Sequence, residues 1–91
     1  MIIKNYFRDG EKMYEHFEEH GEETGCNTVE EYLAKANAVI QNTAAKIKIE
    51  TDENDGDKIY YLSETREIVF VATDGFIRTY FIADDEYFDR Q

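Results

Sequence analysis

Two histidines, His16 and His20, lie four residues apart in the segment His16-Phe17-Glu18-Glu19-His20. On a helix this spacing places both rings on one face. Histidine exchanges protons near neutral pH, so the pair suits general acid–base catalysis, and the same spacing could hold a metal ion. The segment lacks the His-Glu-x-x-His order of zinc enzymes and offers no obvious third ligand, so we expect no metal. The plain alternative is that one histidine packs partly into the core and the other is solvated.

A second group with chemical potential is Arg78 and Thr79, which lie in the segment Asp74-Gly75-Phe76-Ile77-Arg78-Thr79-Tyr80-Phe81. A guanidinium can hold a phosphate through two hydrogen bonds and stabilise a charged transition state, and a nearby hydroxyl can donate one more. Taken alone, such residues on a strand are more often surface residues than catalytic ones. If side chains alternate strictly along the strand, one face carries Phe76, Arg78 and Tyr80 and the other face carries Ile77, Thr79 and Phe81.

The acidic segment Glu50–Asp57 raises the question of calcium binding. With Gly56 at the sixth position of a calcium loop, the first position is Thr51 and the twelfth is Leu62. Neither can supply the carboxylate that those positions require. We therefore predict a solvated hairpin loop here, with no metal.

The histidines belong to a predicted first helix that spans about Gly10 to His20, with Asp9 as its N-cap. Gly21 is expected to end this helix in the left-handed conformation, which glycine adopts without a Cβ clash. Spacings of three and four residues predict the apolar stripe of the helix, formed by Met13, Tyr14 and Phe17.

A second helix has the clearest start signal in the chain. Thr28 and Glu31 form a capping box, in which the hydroxyl bonds the Glu31 amide and the carboxylate reaches back. Apolar residues then recur at helical spacing and predict a core-facing stripe: Val29, Tyr32, Leu33, Ala36, Ile40 and Ala44.

After about Ala45 the hydrophobic period changes to two, which indicates strands. Lys46–Glu50 alternates strictly, as a half-buried strand does, and three more strands follow at Lys58–Leu62, Glu67–Ala72 and Phe76–Ile82. Short connections, including Asp74-Gly75, predict an antiparallel meander with the two helices on one face. The chain is thus predicted to be one α+β domain over residues 1–91, with an acidic and aromatic tail from Asp84 whose docking the pattern leaves open.

Composition limits the function classes. The 91 residues include 21 acids and 10 bases, a formal net charge of −11, which argues against bulk attraction to nucleic acid or anionic membranes. The lone Cys26 excludes an intrachain disulfide and a cysteine-based zinc cluster. No apolar run reaches membrane-spanning length, so we expect a cytoplasmic protein without a membrane partner.

Two motif blocks, His-Phe-x-x-His-Gly and Asp-Gly-x-Ile-x-Thr-x-Phe, are moderately specific when they occur together. With them the chain resembles the small nuclease domains of bacterial polymorphic toxins and phage, in the superfamily of barnase-like, EndoU-like, colicin-type and RelE-type (BECR) ribonucleases. The matching positions run from the first helix to the last residue: His16 to Gly21, Gly25, Thr28, Glu31 to Leu33, Ala36, Tyr60, Thr65, Asp74 to Phe81, Tyr87 and Gln91.

The resemblance implies metal-independent RNA cleavage without a cofactor, in which the ribose 2′-hydroxyl attacks its own phosphate. His16 or His20 would then be the base or the acid, Arg78 the phosphate clamp and Thr79 a hydrogen-bond donor. It further implies RNA as substrate and an immunity protein as a possible protein partner. Weaker matches would form the wall of the site: Tyr80, Tyr87 and Gln91.

Two other hypotheses remain open from the sequence. The first is a non-catalytic acidic phage or mobile-element protein that keeps the nuclease-like fold and docks on a basic host protein. The second is a small globular protein with no site. The position of the two histidines relative to Arg78 and Thr79 separates the protein with no site from the ribonuclease, because catalysis requires the groups to converge. Salt-sensitive capture of a basic partner tests the binding protein.

Overall fold

The structure is a computed structural model that describes residues 3–50 and 56–91. It confirms the predicted α+β fold and the predicted element order, and most of the predicted acidic loop, residues 51–55, lies outside the described residues. The elements are helices α1 (Gly10–His20) and α2 (Val29–Gln41), strands β1 (Lys46–Ile49), β2 (Lys58–Leu62), β3 (Glu67–Val71) and β4 (Ile77–Ile82), and a short helix α3 (Asp85–Asp89).

The four strands form an antiparallel meander in the order β1-β2-β3-β4, as predicted. One face of the sheet packs against α1, α2 and the N-terminal segment. The sheet contributes Val69, Val71, Ile77 and Tyr80 to this cluster; the segments over it contribute Phe7, Met13, Phe17, Tyr32, Ala36 and Val39. The other face carries a smaller cluster of Ile59, Tyr61 and Ile68, covered by Phe88 of α3. No helix in the described residues is long and apolar enough to cross a membrane.

Strict alternation along β4 was a wrong prediction, because the strand contains a β-bulge. Val71 is opposite Ile77 and Phe70 is opposite Thr79, which leaves Arg78 as an extra residue on the β4 side. As a result Ile77 and Tyr80 both belong to the core beneath the helices. The bulge sets Arg78 apart from both faces of the regular ladder.

β1 forms where predicted, but its two isoleucines are exposed and only Lys48 is partly buried. Ile47 and Ile49 are 57% and 53% exposed. They lie on the helix-facing side of an edge strand, and α2 packs mainly against β2 and β3. Lys48 points to the opposite face, where its Nζ donates to the carbonyls of Phe88 (2.9 Å) and Asp89 (3.0 Å) at the end of α3.

Three helix details also differ from the sequence prediction. Tyr14 is exposed, so Met13 and Phe17 alone pack on the core from the predicted stripe of α1. Ala44 lies beyond the end of α2 at Gln41 and is exposed. Gly21 ends α1 with φ −60°, which is right-handed; glycine is required there because a Cβ would lie 2.6 Å from the Phe17 carbonyl oxygen.

The N-terminal segment is held by Asn37, a fully buried polar residue of α2. Its Oδ1 accepts hydrogen bonds from the amides of Lys4 (3.0 Å) and Asn5 (2.9 Å). Its Nδ2 donates to the carbonyls of Asn5 (2.8 Å) and Leu33 (3.0 Å). The segment then continues along β4, where Phe7 forms a parallel bridge with Ile77 and Asp9 caps α1.

We predict that Asn37→Ala lowers the free energy of unfolding by about 2–4 kcal/mol, because three hydrogen bonds to the N-terminal segment are lost together. Asn37→Asp should also destabilise, since it replaces a donor with an acceptor facing two carbonyls. Asn42→Ala, at the exposed C-cap of α2, is the control and should cost less than about 1 kcal/mol. Denaturant unfolding measures all three; equal losses at Asn37 and Asn42 would contradict the role of Asn37.

Candidate functional site

A cleft of about 200 Å³ opens between the N-terminal segment, α1 and the start of β4. The residues lining it combine basic side chains with an apolar floor: Arg8, Lys12, His16 and Arg78, with Phe7, Phe76 and Ile77. Three of the seven lining residues, Arg8, Lys12 and Arg78, are cations, in a chain whose net charge is −11. The cleft is therefore a local basic surface within an acidic protein.

His16 connects α1 to β4 within this cleft. Its Nδ1 lies 3.3 Å from the Thr79 hydroxyl oxygen, and its ring stacks on Phe7 at 5.6 Å between centroids. Partial burial, and then the neighbouring His20, lower the pKa of His16 below its ordinary value, although Glu19 and Glu15 oppose this shift. The ring is consequently neutral at physiological pH and can accept a proton.

Arg78 projects from the bulge and is only partly free to meet a ligand. Its Nε forms an ion pair with the carboxylate of Asp57, whose side chain is 3% exposed, while the Arg78 side chain itself is 45% exposed. Sequence analysis missed Asp57, because it lies in an acidic run that predicts solvated side chains. No signal in the sequence distinguishes Asp57 from its acidic neighbours.

His20 lies beside His16 but outside the lining of the cleft, with 6.3 Å between the ring centroids. Its ring packs on Phe81 at 5.4 Å. Its Nδ1 lies 3.2 Å from Glu23 Oε1 and its Nε2 lies 3.6 Å from Glu19 Oε2. The structure thus brings His16, Thr79 and Arg78 to one place and puts His20 in an acidic environment next to them.

The three residues predicted to form the wall of the site lie elsewhere among the described residues. Tyr80 is fully buried and its hydroxyl donates to Glu67; burial, followed by that hydrogen bond, raises its pKa strongly. Tyr87 packs edge-on against Phe81 at 5.6 Å, on the face that α3 covers. Gln91 donates from Nε2 to the Tyr87 carbonyl at 2.9 Å. None of the three lines the cleft.

Glu19 is the residue that the search for metal ligands overlooked. His16, Glu19 and His20 each present a ligand atom within 4.8 Å of the others. The segment His16-Phe17-Glu18-Glu19-His20 has the His-x-x-Glu-His order, the reverse of His-Glu-x-x-His. In these motifs the histidines bind zinc and the glutamate acts as a base, so the order indicates the histidine pair and not Glu19 as a ligand. Glu19 is thus a possible third ligand that the sequence argument did not name, and the absence of a metal stays a prediction.

Comparison with protein-family models gives no match, and a search of curated proteins gives none either. The BECR resemblance accordingly stays a prediction from the two motif blocks.

We predict that an NMR titration gives His16 a midpoint below 6.5, its ordinary value. His20→Gln should raise the midpoint, because the electrostatic effect of His20 lowers the pKa of His16, and Glu15→Gln should lower it further, because the Glu15 carboxylate raises that pKa. Since the native pKa lies below the unfolded value, the stability contribution of neutral His16 is complete above that unfolded value and is lost as the pH falls through the native pKa. Shifts of the same sign in both variants would contradict the assignment of causes.

We predict that Arg78→Gln lowers the free energy of unfolding by about 1–3 kcal/mol, because it leaves the buried Asp57 carboxylate without its cation. Arg8→Gln is a matched control in the same cleft. Arg8 pairs with Asp74 at 2.8 Å, where both side chains are about half exposed, so its loss should have little effect on stability.

Denaturant unfolding of both variants and of the Asp57→Asn/Arg78→Gln double variant checks this difference. The double variant should recover part of the stability, since it carries no unpaired buried charge. Equal effects at Arg8 and Arg78 would contradict the importance of the Asp57 pair.

Proposed function

We propose that this protein is a metal-independent endoribonuclease, and that the basic cleft between α1 and β4 is its active site. The observation that carries the proposal is the position of His16, which is neutral at physiological pH, contacts Thr79 and lines the same cleft as Arg78. A base next to cationic groups is the arrangement that 2′-hydroxyl attack on a phosphate requires.

In this mechanism His16 accepts the proton of the ribose 2′-hydroxyl as the oxygen attacks phosphorus. Thr79 holds the Nδ1 side of the ring and leaves Nε2 as the atom that accepts the proton, so Thr79 is a positioning residue. Arg8, Lys12 and the exposed part of Arg78 stabilise the negative charge that develops on the phosphorane oxygens. The products are a 2′,3′-cyclic phosphate and a free 5′-hydroxyl.

The 5′-oxygen leaves as an alcohol only if it receives a proton. His20 is the predicted donor, and its two carboxylate neighbours form ion pairs with the ring when the ring is protonated. Lys12 is the alternative donor, because it lines the cleft, whereas His20 does not. Comparison of His20→Gln with Lys12→Gln distinguishes the two donors.

The test is cleavage of a labelled single-stranded RNA by the purified chain in the presence of EDTA. His16→Gln should reduce kcat/KM by about 10²–10⁴-fold, the usual contribution of a general acid or base. A substrate with 2′-deoxyribose at every position should resist cleavage, because the attacking group is missing. The product should carry a cyclic phosphate terminus.

Two controls make the assay decisive. Glu11→Gln changes an exposed charge on the same helix outside the cleft lining, so it should leave kcat within about twofold. Circular dichroism shows whether His16→Gln remains folded. Absence of cleavage by the folded wild-type chain, or cleavage that His16→Gln does not reduce, would overturn the proposal.

A second candidate is the acidic binding protein, and the exposed surface of α1 favours it. Glu11, Glu15 and Glu18 are all exposed on this helix, away from the cleft lining. A row of carboxylates attracts a basic protein partner and repels RNA. Salt-sensitive capture of a basic host protein, without RNA cleavage, is the result that this candidate requires.

A further inference from the structure

We propose that His16, Glu19 and His20 form a binding site for one Zn²⁺-like transition metal ion on α1. Glu19 and His20 lie three and four residues after His16, so each is a neighbour of His16 on the surface of the helix. One ligand atom from each lies within 4.8 Å of the others, and Glu19 Oε2 is already 3.6 Å from His20 Nε2. The two imidazole planes are inclined by only 18° to each other.

The second observation is that both histidine rings already have hydrogen-bonding partners that orient them. Histidines that bind a metal usually do so through one ring nitrogen, while the other bonds a carboxylate or another oxygen that orients the ring. Here the Nδ1 atom of His16 faces the Thr79 hydroxyl at 3.3 Å and the Nδ1 atom of His20 faces Glu23 at 3.2 Å. Both Nε2 atoms are thereby left to coordinate.

Glu23 is itself fixed, since its Oε2 accepts a hydrogen bond from the Ile82 amide at 2.9 Å. The His20 ring is further held against Phe81, and its side chain is only 21% exposed. Two of the three ligands thus have restrained orientations before any ion binds. Only Glu19, which is 70% exposed, has to adjust.

The donor set selects the kind of ion. Two imidazoles and one carboxylate suit Zn²⁺, with water in the fourth position, whereas Ca²⁺ and Mg²⁺ prefer oxygen ligands alone. The surrounding charge is also favourable, because Glu15 and Glu18 are exposed on the same helix. The negative potential of these carboxylates attracts a metal cation, although it repels RNA.

The experiment is a calorimetric titration of the metal-free chain with ZnCl₂, in the absence of RNA. We expect saturation at one equivalent. Glu19→Gln and His20→Gln should each weaken binding by about tenfold or more, and Glu23→Gln should weaken it by about tenfold through loss of ring orientation. Long-range ¹⁵N NMR should show Zn²⁺ on Nε2 of both rings, with Nδ1 still protonated.

Glu18→Gln is the matched control, because it removes the same charge from an adjacent exposed position outside the cluster. It should leave the affinity within about twofold. Equal weakening by Glu18→Gln and Glu19→Gln would show diffuse attraction and overturn the site, as would the absence of saturable binding. The ribonuclease assay contains EDTA, so failure of either proposal is visible independently of the other.

Discussion

The arrangement of the cleft depends on the four hydrogen bonds of Asn37. They satisfy the donors and acceptors of a fully buried amide and fix residues 4 and 5 against α2. From there the chain has only a short path to the edge of β4, where the Ile77 amide bonds the Tyr6 carbonyl at 2.8 Å. The positions of Phe7 and Arg8, and the start of α1, follow from this attachment. A buried polar residue outside the cleft lining thus positions Phe7 and Arg8 in the cleft.

His16 stands between two opposite electrostatic environments. On one side are the cations of the cleft, and on the other are His20, Glu19 and Glu23. The Nε2 atom of His16 is the feature shared by both proposals, since it can hold either a proton or a metal ion but not both. The two proposed activities therefore compete for the same lone pair. A rise in free Zn²⁺ would remove the base from any nucleolytic reaction.

The parts of the fold that sequence predicted well are those with strong local signals. The capping box of Thr28 and Glu31 is present with both of its hydrogen bonds, and the Asp74-Gly75 turn connects β3 to β4. α1 begins and ends where its N-cap and its glycine predicted. These signals arise from residues close together in the sequence, so they can be recognised without knowledge of the tertiary contacts.

The features that sequence did not predict depend on contacts between distant segments. Asn37 and Asp57 have the residue types of solvated positions, and only their partners at the N-terminal segment and at Arg78 explain their burial. Ile47 is exposed because α2 does not extend over β1, and the alternation of apolar and polar residues along a strand does not predict how far a helix covers the sheet. α3 is only five residues long, although Asp84, its N-cap, was a usable signal.

The bulge at Arg78 has a consequence for how this chain tolerates changes in length. Val71 is opposite Ile77 and Phe70 is opposite Thr79, so Arg78 is an extra residue between two pairs of an otherwise regular ladder. Deletion of Arg78 would leave Ile77, Thr79 and Tyr80 in consecutive alternation, with their partners on β3 unchanged. Tyr80 would stay in the core and Thr79 beside His16, while the ion pair with Asp57 would be lost. Loss of a regularly paired residue of the strand would instead turn the side chains beyond it to the opposite faces. The strand therefore tolerates a change in length at position 78 better than at the positions beside it.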